Sequence, residues 1–246
     1  MTWYEKAFCQ NYLDVYAHRT DEQARAEVEF AKKHLQLKTN QIVLDLCCGA
    51  GRHAFALSPM VKTVVGYDLS SDLLGAAAKE NLSRNCANIY WQKGDMRHFD
   101  FKESFDAVVN FFNSFGYFEN EEENLQVLKN IFCALKPKGR VLMDLMNKTC
   151  IIKNLQPISE KIVNEFLVKE TRSISPDGLR VKKQVKIFQA DQLINEYQES
   201  VRMYTPKELT TLLSSVGFSN IQFFGSLTSE PVNDTSSRIL LIAEKY

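Results

Sequence analysis

The sequence predicts an α/β fold in which helices cover both faces of a parallel sheet. Short apolar runs rich in Val, Ile and Leu alternate with longer helical segments, which is the order expected of βαβ units. The runs are continuously apolar, as is typical of strands buried on both faces. The chain has 246 residues, of which 45% are hydrophobic and 24% charged, so it is long enough for one large globular domain.

The predicted elements follow one another through the first 150 residues. Apolar positions at helical spacing indicate helix within residues 4–36. The strand runs are QIVLDLC (41–47), TVVGYDL (63–69), NIYWQKG (88–94), FDAVVNFF (105–112) and GRVLMDLM (139–146). Helices are predicted over residues 71–85 and 121–136, and Pro137 with Gly139 ends the second of them.

After residue 150 a different pattern predicts an inserted antiparallel cap. Two strands surround a turn at residues 176–178, and QLINEYQESVRMY is a third strand with alternating polar residues. A helix over 205–218 begins at Thr205 and Pro206, and two closing strands follow it. We expect one domain over residues 1–246, with a helical lid (1–38), a cofactor-binding core (40–150), a three-stranded cap (155–204) and a C-terminal helix with strands (205–246).

Composition excludes some functional classes and locations. Thirty basic residues balance thirty acidic ones, so the charge balance favours neither nucleic acid nor a membrane surface as a partner. The N-terminal residues lack the pattern of a secretory signal, and no apolar run approaches the ~18 residues of a spanning helix. The six cysteines show no repeated spacing, which is typical of reduced thiols. We expect a cytoplasmic protein that is a monomer or a homodimer.

The stretch LDLCCGAGRH (44–53) joins the first strand to a helix through a glycine turn. Glycine lets a backbone approach a ligand closely, and open α/β sheets bind ligands at the carboxyl ends of their strands. Cys47 and Cys48 lack C-x-x-C spacing and no second Cys/His cluster follows, so no metal site is predicted. A structural turn between strand and helix is the remaining alternative.

Acidic residues end three successive strands: Asp45, Asp68 and Asp95. Together they suit a ligand that is cationic or rich in hydrogen-bond donors, and they would repel a pyrophosphate. The turn also satisfies G-x-G-x-x-A, a pattern found in nicotinamide-dependent oxidoreductases, but that pattern alone is weakly specific. The three acids favour S-adenosylmethionine over a dinucleotide.

At these positions the sequence resembles the class I S-adenosylmethionine-dependent methyltransferases, of the subgroup that acts on small molecules. The motifs VLDLCCGAGRHA, VVGYDLSSDLL, GDMRHF, FDAVVNFFNSFGYF and LKPKGRVLMDLMN occur in the family's order over roughly residues 40–147. The resemblance implies a Rossmann-like, seven-stranded, mostly parallel sheet whose last strand is antiparallel, with the cap inserted after the fifth strand. Cys47 replaces the first glycine of the family's loop, while Gly49 and Gly51 are kept.

The resemblance also implies which residues hold the methionine part of the cofactor. Asp45, Gly49 and Gly51 would bind it, with Cys47 in the same turn. Phe111, at the end of the fourth strand, would contact the methionine end.

For the nucleoside part, the resemblance assigns residues at the second and third strands. Asp68 would accept the ribose hydroxyls, and Leu69 would lie against the adenine. Asp95 would receive the adenine amine, with Met96 packing nearby.

Tyr16 and Arg19 would contact the cofactor carboxylate from an N-terminal lid, again by resemblance. Asn113 and Tyr117 follow the fourth strand and are the candidates for holding the nucleophile. His53 is expected to pack or cap at a helix start rather than to catalyse.

The expected reaction is in-line transfer of a methyl group to nitrogen, oxygen or carbon of a small molecule, with S-adenosylhomocysteine as by-product. Such a displacement needs alignment and a dry pocket more than a strong acid or base. The alternatives are an RNA- or protein-directed methyltransferase and a non-catalytic cofactor-binding protein of the same fold. NFFN stands where methyltransferases that act on base amines carry N/D-P-P-Y/F, so no nucleic acid partner is expected.

Overall fold

The computed structural model describes residues 2–8 and 20–246, which form two sheets and the helices around them. The strands are β1 (Ile42–Leu46), β2 (Thr63–Asp68), β3 (Ile89–Lys93), β4 (Phe105–Asn110), β5 (Leu135–Met146), β6 (Ile158–Val163), β7 (Phe166–Ile174), β8 (Arg180–Gln189), β9 (Gln192–Arg202), β10 (Phe218–Phe224) and β11 (Arg238–Lys245). The helices are α1 (Trp3–Ala7), α2 (Asp21–Leu35), α3 (Arg52–Leu57), α4 (Ser71–Arg84), α5 (Glu121–Ala134), α6 (Lys148–Asn154) and α7 (Pro206–Val216).

The larger sheet has seven strands in the order β10-β11-β5-β4-β1-β2-β3. The strands from β5 to β3 pair in parallel, while β11 runs antiparallel to both β5 and β10. The predicted fold class is confirmed, with its single reversed strand. Strand order reverses between β1 and β4, and a crevice forms at the carboxyl ends of strands where this happens.

The cap differs from the prediction in having four strands, ordered β6-β7-β8-β9 and antiparallel throughout. The sequence prediction missed β6 because Ile158 and Ile162 point to solvent, separated by polar residues, so the strand has no apolar run. Helix α6 was also not predicted from the sequence. Residues 136–139, where Pro137 and Gly139 were expected to end a helix, instead form a bulge within β5. In this bulge Lys138 has a φ of 65°.

At the N-terminus, α1 and α2 lie within the predicted helical region. Thr20 begins α2 with a reciprocal cap, in which its side chain accepts from the Gln23 backbone and the Gln23 side chain accepts from Thr20. The residues between the two helices, 9–19, fall outside the described part of the chain, and with them the predicted contacts Tyr16 and Arg19.

Apolar side chains fill both faces of the seven-stranded sheet. One cluster packs α5 and α7 against β4, β5 and β11, and the other packs α2 and α3 against β1, β2 and β4. A third, smaller cluster joins Ala7 of α1 to Val168, Val185, Ile187 and Tyr197 on the inner face of the cap. The N-terminal helix is therefore attached to the cap through this cluster.

Candidate functional site

A glycine turn connects β1 to α3 and brings backbone groups to the carboxyl end of the sheet. Cys47, Gly49 and Gly51 all have left-handed φ values, of 61°, 56° and 84°. A Cβ on Gly51 would lie 2.3 Å from Cη2 of Trp91, so only glycine fits there. Cys47 takes a conformation that favours glycine although it carries a side chain, and its N–H donates to the Tyr67 carbonyl at 2.7 Å.

A cavity of about 320 Å³ opens beside this turn, at the carboxyl ends of β1 to β4. Among the predicted site residues, those that line it are Cys47, Gly49, Asp68, Leu69, Asp95, Met96, Phe111 and Tyr117. The structure thus brings residues from four strand ends, spread over seventy positions of the sequence, to one cavity.

Asp45 lies beneath the cavity and is 1% exposed. Its Oδ2 has no hydrogen-bond partner within residues 2–8 and 20–246. Burial, together with the charge of Asp68, raises the pKa of Asp45 to about 8. A buried carboxyl is stabilised in its charged form by a nearby cation, so a cationic ligand in the adjoining cavity would favour ionised Asp45.

Asp68 is held in place by backbone donors on both of its oxygens. Oδ2 accepts from the Gly49 N–H and Oδ1 from the Ser70 N–H, each at 2.8 Å. Burial raises the pKa of this carboxyl, and the backbone N–H groups oppose that rise. These bonds orient Asp68 at the end of β2, beside the glycine turn.

Asp95 already has a cationic partner, which sequence reasoning missed. Arg97 donates Nε to both carboxylate oxygens at 3.1 Å and also donates Nη2 to Oδ2 at 2.6 Å. Burial alone would raise the pKa of Asp95, but the hydrogen bonds from Arg97 hold it below its usual range. The sequence signal was Arg97 two residues after Asp95, a spacing too common to be diagnostic.

Aromatic side chains from α1 and from the segment after β4 form part of the cavity wall. Trp3 meets Tyr117 at 4.9 Å between ring centroids, Phe8 stacks on the same ring at 5.8 Å, and Tyr4 packs edge-on against Phe118 at 5.7 Å. Ser70 donates its hydroxyl to the Phe8 carbonyl at 2.7 Å. The N-terminal helix and the residue after it therefore cover the cavity.

Three predicted site residues do not reach the cavity lining. Asp45 and Gly51 lie behind it. Asn113, proposed to hold the nucleophile, instead joins β4 to β5: its Oδ1 accepts from the Met146 N–H at 3.0 Å. Because that oxygen is already engaged in the fold, the structure gives Asn113 a structural role at the strand ends.

His53 lines the cavity but is 6% exposed and belongs to a buried network. Its Nε2 lies 2.7 Å from Oε2 of Glu27, and its ring stacks on Phe111 at 4.1 Å. Burial lowers the pKa of His53 to about 4, which keeps it neutral at physiological pH. The packing role expected for this residue fits these contacts.

The described part of the chain offers neither a metal centre nor a spanning helix. No group of three His, Cys, Asp or Glu side chains in residues 2–8 and 20–246 is arranged to hold a metal ion. Within the same ranges, none of the helices has the length and apolar content to cross a membrane.

Comparison with known proteins identifies the domain. A family model described as a methyltransferase domain matches residues 43–139. The chain is 25% identical over 206 residues to the cypemycin N-terminal methyltransferase of a Streptomyces species, covering 82% of each chain.

Two solved structures share the fold. An S-adenosylmethionine-dependent methyltransferase from Clostridium acetobutylicum superposes with a TM-score of 0.81 at 18% identity, covering 95% of this chain and 96% of that one. An amino pentose methyltransferase from Micromonospora echinaspora, solved with S-adenosylmethionine bound, gives 0.70 at 19% identity, covering 96% and 97%. With the ordered motifs and the strand-end cavity, these matches show that the chain contains a methyltransferase domain and shares the fold of S-adenosylmethionine-dependent methyltransferases.

Proposed function

We propose that the protein transfers a methyl group from S-adenosylmethionine to an amine nitrogen of a small molecule. The observation that carries this proposal is the cavity itself, which is lined by the strand-end acids Asp68 and Asp95 and by aromatic side chains. Among the similar proteins, the one from Micromonospora echinaspora is described as an amino pentose methyltransferase.

The residues around the cavity fit the cofactor. Asp45, behind the lining, would act through its charge on the methionine portion of the cofactor, and the glycine turn would admit that portion closely. Asp68 would accept the ribose hydroxyls, with Leu69 beside the adenine. When bound, S-adenosylmethionine supplies an electrophilic methyl group on a positively charged sulfur.

Asp95 would meet the adenine amine while remaining paired with Arg97. Because Arg97 keeps the pKa of Asp95 low, the carboxylate stays ionised and can accept a hydrogen bond. Met96 lines the same part of the cavity.

Charge in the lining suits a ligand that carries positive charge. Arg84, in the cavity lining, forms ion pairs with Asp21 and Glu80, each at 2.8 Å, so its positive charge is already balanced. Asp68 accepts from backbone N–H groups, which are uncharged, so these bonds leave its negative charge unneutralised. A site with this surplus of carboxylates favours a ligand of positive charge.

The aromatic residues would align the acceptor and exclude water. Phe8 and Tyr117 stack over the cavity, and Tyr4 and Phe118 extend the same wall. Their π faces attract cations, which suits both a sulfonium and an amine. An amine that arrives unprotonated attacks without a dedicated base, so alignment and dehydration are the main contributions of the protein.

Calorimetric titration with S-adenosylhomocysteine tests the cofactor site. We expect Asp68→Ala to abolish measurable binding, because the ribose loses its acceptor and the turn loses the bond to Gly49. Asp100→Ala, at an exposed position outside the lining, is the matched control and should bind like the wild type. Unchanged affinity in Asp68→Ala would refute the ribose role.

The acceptor is tested by methyl transfer to a panel of small amines, phenols and carboxylic acids, with total RNA as a further substrate. Transfer to amines in preference to phenols and acids supports the proposal. Transfer to phenols or to RNA alone contradicts it. Each product is identified by mass spectrometry.

A further inference from the structure

Arg180, the first residue of β8 in the cap, is 7% exposed and points into the core domain. Nη1 donates to the Phe118 carbonyl at 2.9 Å, and Nη2 donates to the carbonyls of Gly116 and Tyr117 at 3.2 Å. Nη2 also donates to the Ser200 carbonyl at 2.7 Å, and Nε to the Ser200 hydroxyl at 2.9 Å. One side chain therefore joins two cap strands to three consecutive peptide groups of the cavity wall.

The partners of this buried cation are mainly uncharged. The carboxylate of Glu119 lies 3.5 Å from Nε, but its side chain is 74% exposed. Burial lowers the pKa of Arg180, with the charge of Glu119 opposing the shift. Burying a charge is costly unless its hydrogen-bond donors are satisfied. The surrounding carbonyl oxygens accept from the guanidinium N–H groups of Arg180 and so stabilise the buried cation.

The segment that Arg180 holds has little freedom of its own. The Arg202 N–H donates to the Gly116 carbonyl at 2.7 Å, and a Cβ on Gly116 would lie 2.5 Å from the Arg202 carbonyl oxygen. Trp3 of α1 donates its indole N–H to the Tyr117 carbonyl at 3.4 Å. The wall segment, residues 116–118, is thus bonded to the cap on one side and to the lid helix on the other.

We propose that Arg180 is the positioning residue that sets the acceptor wall, because it holds residues 116–118 so that Tyr117 and Phe118 face the cavity. This inference rests on the proposed function, since it assigns that wall to the acceptor. It also gives the cap a specific role, because the conformation of the wall then depends on a cap side chain that does not line the cavity.

The test uses Trp3 as a reporter of the wall segment. The chain has two tryptophans, so in Trp91→Phe the fluorescence comes from Trp3 only. The substitution also removes the indole N–H of Trp91, which is buried and has no hydrogen-bond partner within the described residues. In this background, Arg180→Met, Arg180→Lys and Arg172→Met are compared by acrylamide quenching of Trp3 fluorescence. Arg172 is the matched control, because it is a bonded arginine of the same sheet whose partners are Ser159, Glu170 and the Gln156 carbonyl.

Both methionine variants should melt at a lower temperature, since each loses buried or half-buried hydrogen bonds. We expect only Arg180→Met to raise the quenching constant of Trp3, by about twofold or more, because its wall segment opens locally. Arg180→Lys, which keeps the charge and some of the donors, should fall between Arg180→Met and the parent. If Arg180→Met does not fold, Arg180→Lys against Arg172→Met makes the same comparison.

Equal quenching in the Arg180 and Arg172 variants, measured well below their melting temperatures, would overturn the inference. Titration with S-adenosylhomocysteine runs in parallel and should give the parent affinity in all three variants. If the parent itself fails to bind S-adenosylhomocysteine, the proposed function is wrong, while the quenching result still reports on the wall.

Discussion

Two carboxyl groups at the ends of neighbouring strands, the buried Asp45 and the half-buried Asp68, both have raised pKa values. The charge of Asp68 adds to the effect of burial at Asp45. In the absence of a cationic ligand the fold therefore holds a proton at Asp45 that the unfolded chain would release. The titration of Asp45 therefore has a measurable effect on the stability of the protein.

The substitution Asp45→Asn should remove that effect. Asp45 has a pKa of about 8 in the folded protein and an ordinary value of 3.8, so the folded state binds the extra proton between these pH values. Wild-type stability then falls as pH rises from 4 to 8, whereas Asp45→Asn lacks this loss. We expect the ligand-free variant to melt higher than the wild type at pH 8 and the difference to vanish near pH 4. A difference independent of pH would contradict the assignment.

Two glycines, one before α3 and one inside α4, are predicted to respond oppositely to the same substitution. Gly51, before α3, has a φ of 84° and faces Trp91, so Gly51→Ala should cost more than the ~1–2 kcal/mol of a left-handed residue. Gly75, inside α4, has no atom within 4 Å of an added Cβ, so Gly75→Ala should stabilise by ~0.5–1 kcal/mol. Urea unfolding measures both, and a shift of the same sign in the two variants would contradict this explanation.

A buried charge network joins four elements around Glu27 of α2. Glu27 pairs with His53 and Arg52 of α3 and with Arg238 of β11. Arg238 also forms an ion pair with Asp144 of β5. Burial would raise the pKa of Glu27, but the hydrogen bond and charge of its partners hold it at about 2. The network therefore fixes how the helices of one layer sit on the sheet.

Removing the central carboxylate should destabilise the molecule in a pH-dependent way. Glu27→Gln leaves the half-buried guanidinium groups of Arg52 and Arg238 without this partner, which should cost about 3 kcal/mol at pH 7. Since the folded pKa of Glu27 is about 2 and its ordinary value 4.5, the difference from wild type is full above pH 4.5 and narrows toward pH 2. Urea unfolding at several pH values checks this. Glu29→Gln, at an exposed ion pair of the same helix, should change stability by less than about 1 kcal/mol.

The parallel sheet was predictable because β1, β4 and the second half of β5 are mostly apolar runs separated by helices, as is typical of strands buried on both faces. The acids at the strand ends were predictable for a related reason, since parallel strands bring their carboxyl ends to one edge. Strand β6 was not predictable, because two of its three apolar side chains, Ile158 and Ile162, face solvent. The pairings of Arg97 with Glu123 and of His53 with Glu27 each cross 26 residues, and local sequence carries no information on such contacts.

The packing of α1 against the cap affects the order in which parts of the chain fold. Its helix packs on Val168 and Val185 of the cap, and its Trp3 meets Tyr117, so every one of these partners is made on the ribosome long after α1 itself. Helix α1, which covers the cavity, can therefore pack against the cap only after the cap has been translated. Closing so long a loop is slow compared with local folding. We therefore expect α1 to dock late in folding, after the cap strands that it packs against.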